Sequence, residues 1–252
     1  MRFFMGLVLV LALAAMGCSE TSGTGGTAGG GGTGGTGGDG GFGGDAATFS
    51  YSVITSSTGD AADLLEELRT STLPTLEAGG AVVYALWGPA PQQDERFPEI
   101  AEDKVVVMLS WAQVDADLLT MELEALVGAN QVETSLWEAS LRGAVPLSTG
   151  PGFYIHSFEL YRTEDVDKAL SLSESAWTTF EPEFGVQVAG VWRRLEEEDG
   201  LTWTVRIAWY EDLAHWEESR DFLRDPESFA KFVERAALQE DQESWSAGLV
   251  ER

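Results

Sequence analysis

The sequence predicts an α+β fold of two tandem βαββαβ units packed sheet to sheet, and three observations predict it. The order of strand-like and helix-like segments in residues 48–150 recurs in 151–252. Landmarks recur with it: Thr58 with Thr163, Gly80 with Gly185 and Trp87 with Trp192, all offset by 105 residues, and Trp111 with Trp209, offset by 98. Finally, Val105-Val106-Val107-Met108-Leu109 is apolar on both faces, the mark of a strand covered on both sides. A βαββαβ chain of this kind, the ferredoxin-like unit, forms a four-stranded antiparallel sheet with both helices on one face. The bare face needs cover, and a second sheet in the same chain supplies it. The expected architecture is a tandem duplication of ferredoxin-like units forming a single-chain dimeric α+β barrel, a monomer with an internal pseudo-dimer.

Each element follows from local pattern. Phe49 to Thr55 alternates as a strand, and Thr58 is placed to cap a helix carrying Ala61, Leu64, Leu65 and Leu68 at helical spacing, closed by Gly79-Gly80. Ala81 to Trp87 and Lys104 to Gln113 read as strands around a loop opened by Gly88-Pro89-Ala90-Pro91. Ala116 to about Ala139 reads as helix with a break near Gly128, followed by a short apolar strand at Ala144-Val145-Pro146-Leu147. In the second half Phe153 to Tyr161 is a strand. Thr163-Glu164-Asp165 starts a helix with Val166, Ala169, Leu170, Ser173, Trp177 and Phe180 on one stripe, ended by Gly185. Val186 to Leu195 and Leu201 to Tyr210 form a hairpin about Glu196–Gly200. Leu213 to Leu223 is helical, Asp225-Pro226-Glu227 starts the last helix with Asp225 as cap, and Ala247–Val250 is the closing strand.

The composition belongs to two different regions. The chain of 252 residues has 42 Asp+Glu against 15 Lys+Arg, a net charge of −27, which opposes nucleic-acid binding. A single Cys and two His exclude a disulfide framework, a thiolate zinc cage and a multi-histidine metal site; the leading expectation includes no cofactor. Only three acids, Glu20, Asp39 and Asp45, precede residue 48, so the charge sits on the folded region, whereas 15 of the 29 Gly lie between Gly23 and Gly44. Arg2, the apolar run Phe3 to Met16 and then Gly17-Cys18 make residues 1–17 a secretory signal, its core too short to span a bilayer. Ala15-Met16-Gly17-Cys18 resembles a bacterial lipobox, which implies lipidation of Cys18; Ser19 after it implies sorting to the outer membrane. Residues 18–47 then form a Gly/Thr-rich flexible tether, and the membrane partner is outer-membrane lipid held through Cys18.

Candidate chemistry is sparse. His156 lies in the strand series Tyr154, His156, Phe158, Leu160 and has Tyr51 as its repeat equivalent; it reads either as a base or haem ligand lining the inter-sheet cavity or as a core histidine with one hydrogen bond. Arg206 is the charged residue within its strand, placed either to approach His156 and bind a carboxylate ligand or to pair with Glu159. Trp192 and Trp209, like Trp87 and Trp111, close strands and read as packing rings or a ligand cage. His215 sits among Glu211, Asp212, Glu217 and Glu218 on a solvated helix face. Nucleotide-binding, zinc-protease and serine-hydrolase motifs do not occur.

Tyr154 to Tyr161, Gly190-Val191-Trp192, Ile207-Ala208-Trp209-Tyr210-Glu211-Asp212-Leu213, Arg220, Leu223 and Asp225-Pro226 resemble the NIPSNAP family over roughly residues 152–240. The resemblance implies the dimeric α+β barrel fold and association with membranes, and carries no catalytic set. Neighbouring families include cofactor-free monooxygenases and haem-handling proteins. The expectation is a lipid-anchored binding or interaction module for a protein or small-molecule ligand, leaning away from catalysis; the alternative is a monooxygenase-like or haem-binding enzyme using the inter-sheet cavity.

Overall fold

The computed structural model describes residues 47–90, 96–97, 102–143 and 150–250. The expected signal segment, Cys18, nearly all of the tether and the strand expected at 144–147 lie outside these residues. Asp45–Arg252 falls in one compact unit.

The first half runs β1 (Thr48–Ser56), α1 (Ala62–Glu67), α2 (Leu73–Ala78), β2 (Ala81–Gly88), β3 (Lys104–Trp111), α3 (Ala116–Glu124) and β4 (Ala129–Arg142). The second half runs β5 (Phe153–Arg162), α4 (Val166–Phe184), β6 (Gln187–Arg194), β7 (Leu201–Tyr210), α5 (Leu213–Glu218), α6 (Pro226–Ala236) and β8 (Gln239–Leu249). Within each half all pairings are antiparallel, in the order β4-β1-β3-β2 and β8-β5-β7-β6, and the eight strands close into a barrel. The halves therefore meet not only face to face but edge to edge, through β4 with β6 and β2 with β8. Closure removes most of the open edges that two stacked sheets would leave.

Three apolar layers result. The barrel interior holds Phe49, Tyr51, Trp87, Met108, Trp137, Tyr154, Phe158 and Trp192. Outside it, α1–α3 cover the first sheet through Leu64, Leu68, Leu76, Leu119 and Leu123 against Val105, Val107 and Trp111. On the opposite side α4 brings Ala176, Trp177, Phe180 and Phe184 onto Phe153, Val191, Ala208 and Tyr210. Helix ends follow their sequence signals. Gly185 closes α4 with φ 70°, a left-handed turn that suits glycine, and Asp225 Oδ1 accepts the Ser228 amide at 3.2 Å with Pro226 in the first turn of α6. Between α1 and α2 the chain makes a π turn (Leu68–Thr72), where Pro74 just beyond it lacks the N–H that a regular ladder would use.

Four sequence expectations are corrected. Thr58 does not cap α1: its hydroxyl bonds Ser56 and the Asp60 carbonyl, and Asp60 Oδ1 accepts the Ala62 amide at 2.8 Å instead. The helix expected to Ala139 stops at Glu124, and residues 129–142 form the fourth strand. Val132, Leu136 and Ala139 fit helical spacing, but the same stretch offers β1 a nine-residue ladder from Thr48↔Glu138 to Ser56↔Ala129, and the unpaired edge of β1 decides. The closing strand begins at Gln239, not Ala247, because its polar first half bonds to β5 while facing solvent. Leu213 to Leu223 is helical only to Glu218.

The repeat also shifts by one residue. Leu109 pairs with Ser50 and Ala208 with Ile155, so the third strands are offset by 99 residues and Trp111 corresponds to Tyr210, not Trp209. Trp111 and Tyr210 both lie under helices, whereas Trp209 packs at the barrel end with its indole N–H donating to the Pro151 carbonyl at 3.4 Å.

The β4–β6 seam depends on a close backbone approach. A Cβ at Gly190 would stand 2.7 Å from both the N and Cα of Gly143, and Gly143 itself, with φ +73°, lies under the Trp192 ring. Gly190→Ala is expected to prise this seam apart and to cost about 1–3 kcal/mol or more in urea unfolding. Gly150→Ala, with open space at the Cβ position, serves as control; equal stability of the two variants would show that the seam tolerates a methyl group.

Candidate functional site

The barrel interior is the first candidate. Alternation along β5 sends Tyr154, His156 and Phe158 inward and Phe153, Ile155 and Ser157 outward. His156 is fully buried, and its Nδ1 lies 2.7 Å from the hydroxyl of Tyr51. These two residues are repeat equivalents, so the duplicated strands β1 and β5 meet across the barrel through the same position of each unit. The surrounding rings stand edge to face: Trp87 to His156 at 4.6 Å between centroids, Tyr51 to Phe158 at 5.6 Å and Tyr84 to Trp192 at 5.3 Å. Trp87 with Tyr154 and Trp192 with Phe49 repeat one contact in the two halves.

This environment keeps the imidazole neutral. Burial lowers the His156 pKa to about 3 and, with Glu243 adding to it, raises that of Tyr51 well above its ordinary value. With Nδ1 engaged by the phenol, Nε2 is the ring nitrogen left facing the apolar interior. That nitrogen and the indole N–H groups of Trp87 and Trp192 have no hydrogen-bond partner, nor does the Tyr84 hydroxyl. The interior thus holds several unspent polar atoms in an otherwise apolar, ring-packed space.

Arg206 does not approach His156. In the β5–β7 ladder Ser157 faces Arg206 and His156 faces Ile207, which puts Arg206 on the helix side of the sheet and His156 on the barrel side. Arg206 Nη2 pairs with Glu159 Oε1 at 3.0 Å, and Arg235 of α6 reaches the same oxygen at 3.4 Å. Tyr161 donates to the other carboxylate oxygen at 2.7 Å. Despite the desolvation that opposes ionisation, the two guanidiniums and this hydroxyl hold Glu159 below the usual carboxylate range.

The expected site residues therefore divide between two places. His156 and Trp192 are inside the barrel, Trp209 is at its end, and Arg206 with Glu159 lies under the helices. The sequence reading did not single out Tyr84, Tyr161 or Arg235. Arg235 had a usable signal, since Ser228, Phe232 and Arg235 recur on the buried stripe of α6. His215, expected on a solvated face, has both ring nitrogens engaged: Nδ1 accepts the Glu211 amide at 3.0 Å and Nε2 meets the Phe184 carbonyl at 2.5 Å. These histidines do not suit a haem. The first is enclosed by rings and the second is bonded at both nitrogens. Among the described residues no group of three or more His, Cys, Asp or Glu is arranged to hold a metal.

No known family profile matches the chain, and no curated protein matches it at significant similarity. Solved structures do. An anthrone oxidase-like protein superposes with a TM-score of 0.56 at 12% identity, covering 82% of this chain and 92% of its own. A protein named as a candidate monooxygenase from Lactobacillus acidophilus gives 0.53 at 10% identity, covering 81% and 93%. A chlorite dismutase variant from Candidatus Nitrospira defluvii gives 0.50 at 9% identity, covering 81% and 91%. The fold is a ferredoxin-like dimeric α+β barrel. At these identities the likeness is one of architecture, and chemistry has to be argued from the residues present.

The neutral buried imidazole has a consequence for stability. The unfolded chain protonates His156 near pH 6.5, whereas the folded chain does so only near 3. The unfolded state therefore binds the extra proton in this window, and stability falls by about 1.4 kcal/mol for each pH unit below 6.5. His156→Gln keeps a polar group beside Tyr51 but does not titrate. Between pH 7 and pH 5 the wild type should lose about 2 kcal/mol more unfolding free energy than this variant. Parallel losses in the two proteins would mean that the imidazole titrates in the fold as it does in the unfolded chain.

Proposed function

We propose that the protein is a bacterial lipoprotein, anchored to the outer membrane through lipidated Cys18, whose double ferredoxin-like barrel is a binding or interaction module and not a catalyst. The observation that carries the non-catalytic reading is the state of the described histidines and of Arg206. His156 is encased and neutral, His215 is bonded at both nitrogens, and Arg206 is committed to Glu159. Among the described residues, neither histidine nor Arg206 thus stands free and exposed to act as a catalytic group. The lipobox-like Ala15-Met16-Gly17-Cys18 and the Gly/Thr-rich residues after it support the anchor, and the likeness to NIPSNAP proteins supports a membrane-associated role. Three acyl chains on Cys18 would hold the protein firmly, since a single chain binds only marginally. Cys18→Ala should move the protein from the membrane pellet to the soluble fraction of fractionated cells; retention in the pellet would overturn the anchor.

A second reading has one observation in its favour. The unpartnered His156 Nε2, Trp87 Nε1 and Trp192 Nε1 share the barrel interior of a fold that an anthrone oxidase-like protein and a candidate monooxygenase also adopt. On this reading the chain is a cofactor-free oxygenase, with His156 accepting a proton from a substrate that opens the ring packing. Oxygen uptake with polyphenolic anthrones, abolished in His156→Gln, would favour it over the binding module. A haem version predicts a Soret shift on adding haem that is lost in His156→Ala; the enclosed position of His156 leads us to expect no shift.

A further inference from the structure

The helix side of the second half carries a concentration of positive charge that the chain as a whole does not suggest. Arg206 and Arg235 share a single carboxylate oxygen, Glu159 Oε1. A third guanidinium, Arg220, follows α5 and donates to the Tyr210 hydroxyl at 3.2 Å and to Ser219 Oγ at 3.3 Å. Glu159 is the one carboxylate paired with any of the three among the described residues. Two largely buried cations, with a third exposed at their outer side, therefore stand against one anion within a chain of net charge −27. Charge buried without a counter-charge is costly, and a structural network would be expected to balance itself.

The unspent hydrogen-bonding capacity points the same way. Arg206 Nε and Arg235 Nε have no partner, and Arg235 is only 7% exposed, with Nη1 bonded to Ser173 Oγ at 3.1 Å. Like charge is felt across the cluster. After desolvation, repulsion from Arg206 and Arg220 pulls Arg235 below its ordinary pKa, and Arg206 acts likewise on Arg220. Arg220 gives the group a side that meets solvent. Arg220 is solvent-exposed as a residue while its guanidinium lies 4.9 Å over the Trp216 ring, so it forms the outer side of the group.

We propose that Arg206, Arg220 and Arg235 form a binding site for a small oxyanion, the carboxylate or phosphate group of a small molecule, entering past Arg220 between α5 and the sheet. Planar guanidiniums match both groups through paired N–H donors. The inference rests on the binding-module reading and deepens it by naming the ligand class. It is separate from the oxygenase reading, because the cluster and His156 are on opposite faces of one sheet.

The test titrates the full-length protein in detergent with sodium phosphate and, separately, sodium benzoate, at ionic strength held constant with sodium chloride. Tryptophan fluorescence, to which Trp216 under Arg220 contributes, and thermal unfolding are read together. A saturable fluorescence change with a rise in Tm is expected for at least one anion, and the arm that responds separates phosphate from carboxylate recognition. Arg220→Gln should weaken binding roughly tenfold or more. Arg220→Lys, which keeps the charge but not the fork, should fall between the two and stands in if the Gln variant does not fold. His156→Gln should bind as wild type. No saturable change in either arm would overturn the site, as would unaltered binding by both Arg220 variants. Loss of binding in His156→Gln would place the ligand inside the barrel and overturn it too. Because the anchor is read from membrane partition of Cys18→Ala, its failure and the failure of this site are distinguishable.

Discussion

The constraint on which the rest of the molecule depends is the bare face of a four-stranded sheet. Each βαββαβ half covers one face with its own helices and leaves the other apolar, so neither half is complete alone. Closing the two into one barrel buries Phe49, Trp87, Tyr154 and Trp192 together, and each of them is fully buried. The chain meets this constraint with large rings where many barrels use branched aliphatics. Rings fill space in few conformations and pack edge to face, which favours one arrangement of the halves over sliding alternatives. The backbone contact of Gly190 on Gly143 at the β4–β6 seam serves the same end, since it fixes how near the two sheets' edges come.

Once the interior is fixed, the chemistry divides along the sheet. A strand directs successive side chains to opposite faces, so residues one position apart can experience opposite surroundings. His156 is held neutral in a space of rings, while Glu159, three residues on, is held ionised by two guanidiniums and a phenol. The same sheet presents rings and His156 on its interior face, with Glu243 opposite Phe158, and a network of paired charges on its helix face. Any account that joins His156 to Arg206 in one active site fails on this geometry alone.

Much of this was legible in the sequence, and the failures have physical reasons. The offset of 105 residues between Gly80 and Gly185 and between Trp87 and Trp192 marks true equivalents, because left-handed turns and barrel-filling rings tolerate few substitutes. Tyr51 and His156 share that offset, which makes their contact readable in retrospect as one position meeting its copy. Trp111 was matched to the wrong residue because identity of side chain outweighed the side of the strand; the ladder pairs it with Tyr210, which faces helices as Trp111 does. Strand β4 was missed because its apolar residues satisfy two periods at once, and only the need of β1 for a partner separates them. The meeting of Arg206 with Arg235 joins a strand and a helix 29 residues apart, and no single-strand or single-helix pattern contains it.

The overall charge and the arginine cluster pull in opposite directions, and distance decides between them. A chain at −27 repels extended polyanions, whose many charges sample the whole surface. A small anion at Arg220 is different. Its interaction with the remote carboxylates is screened beyond about 8 Å at physiological ionic strength, while its contact with guanidiniums at the protein interior is screened far less. Screening therefore weakens the repulsion more than the attraction. The acidic exterior then acts as a filter: it leaves the site open to small oxyanions and closed to nucleic acid or anionic membrane surfaces. Under the anchor proposed at Cys18 that discrimination would matter, because the strongest competing polyanion nearby would be the membrane itself.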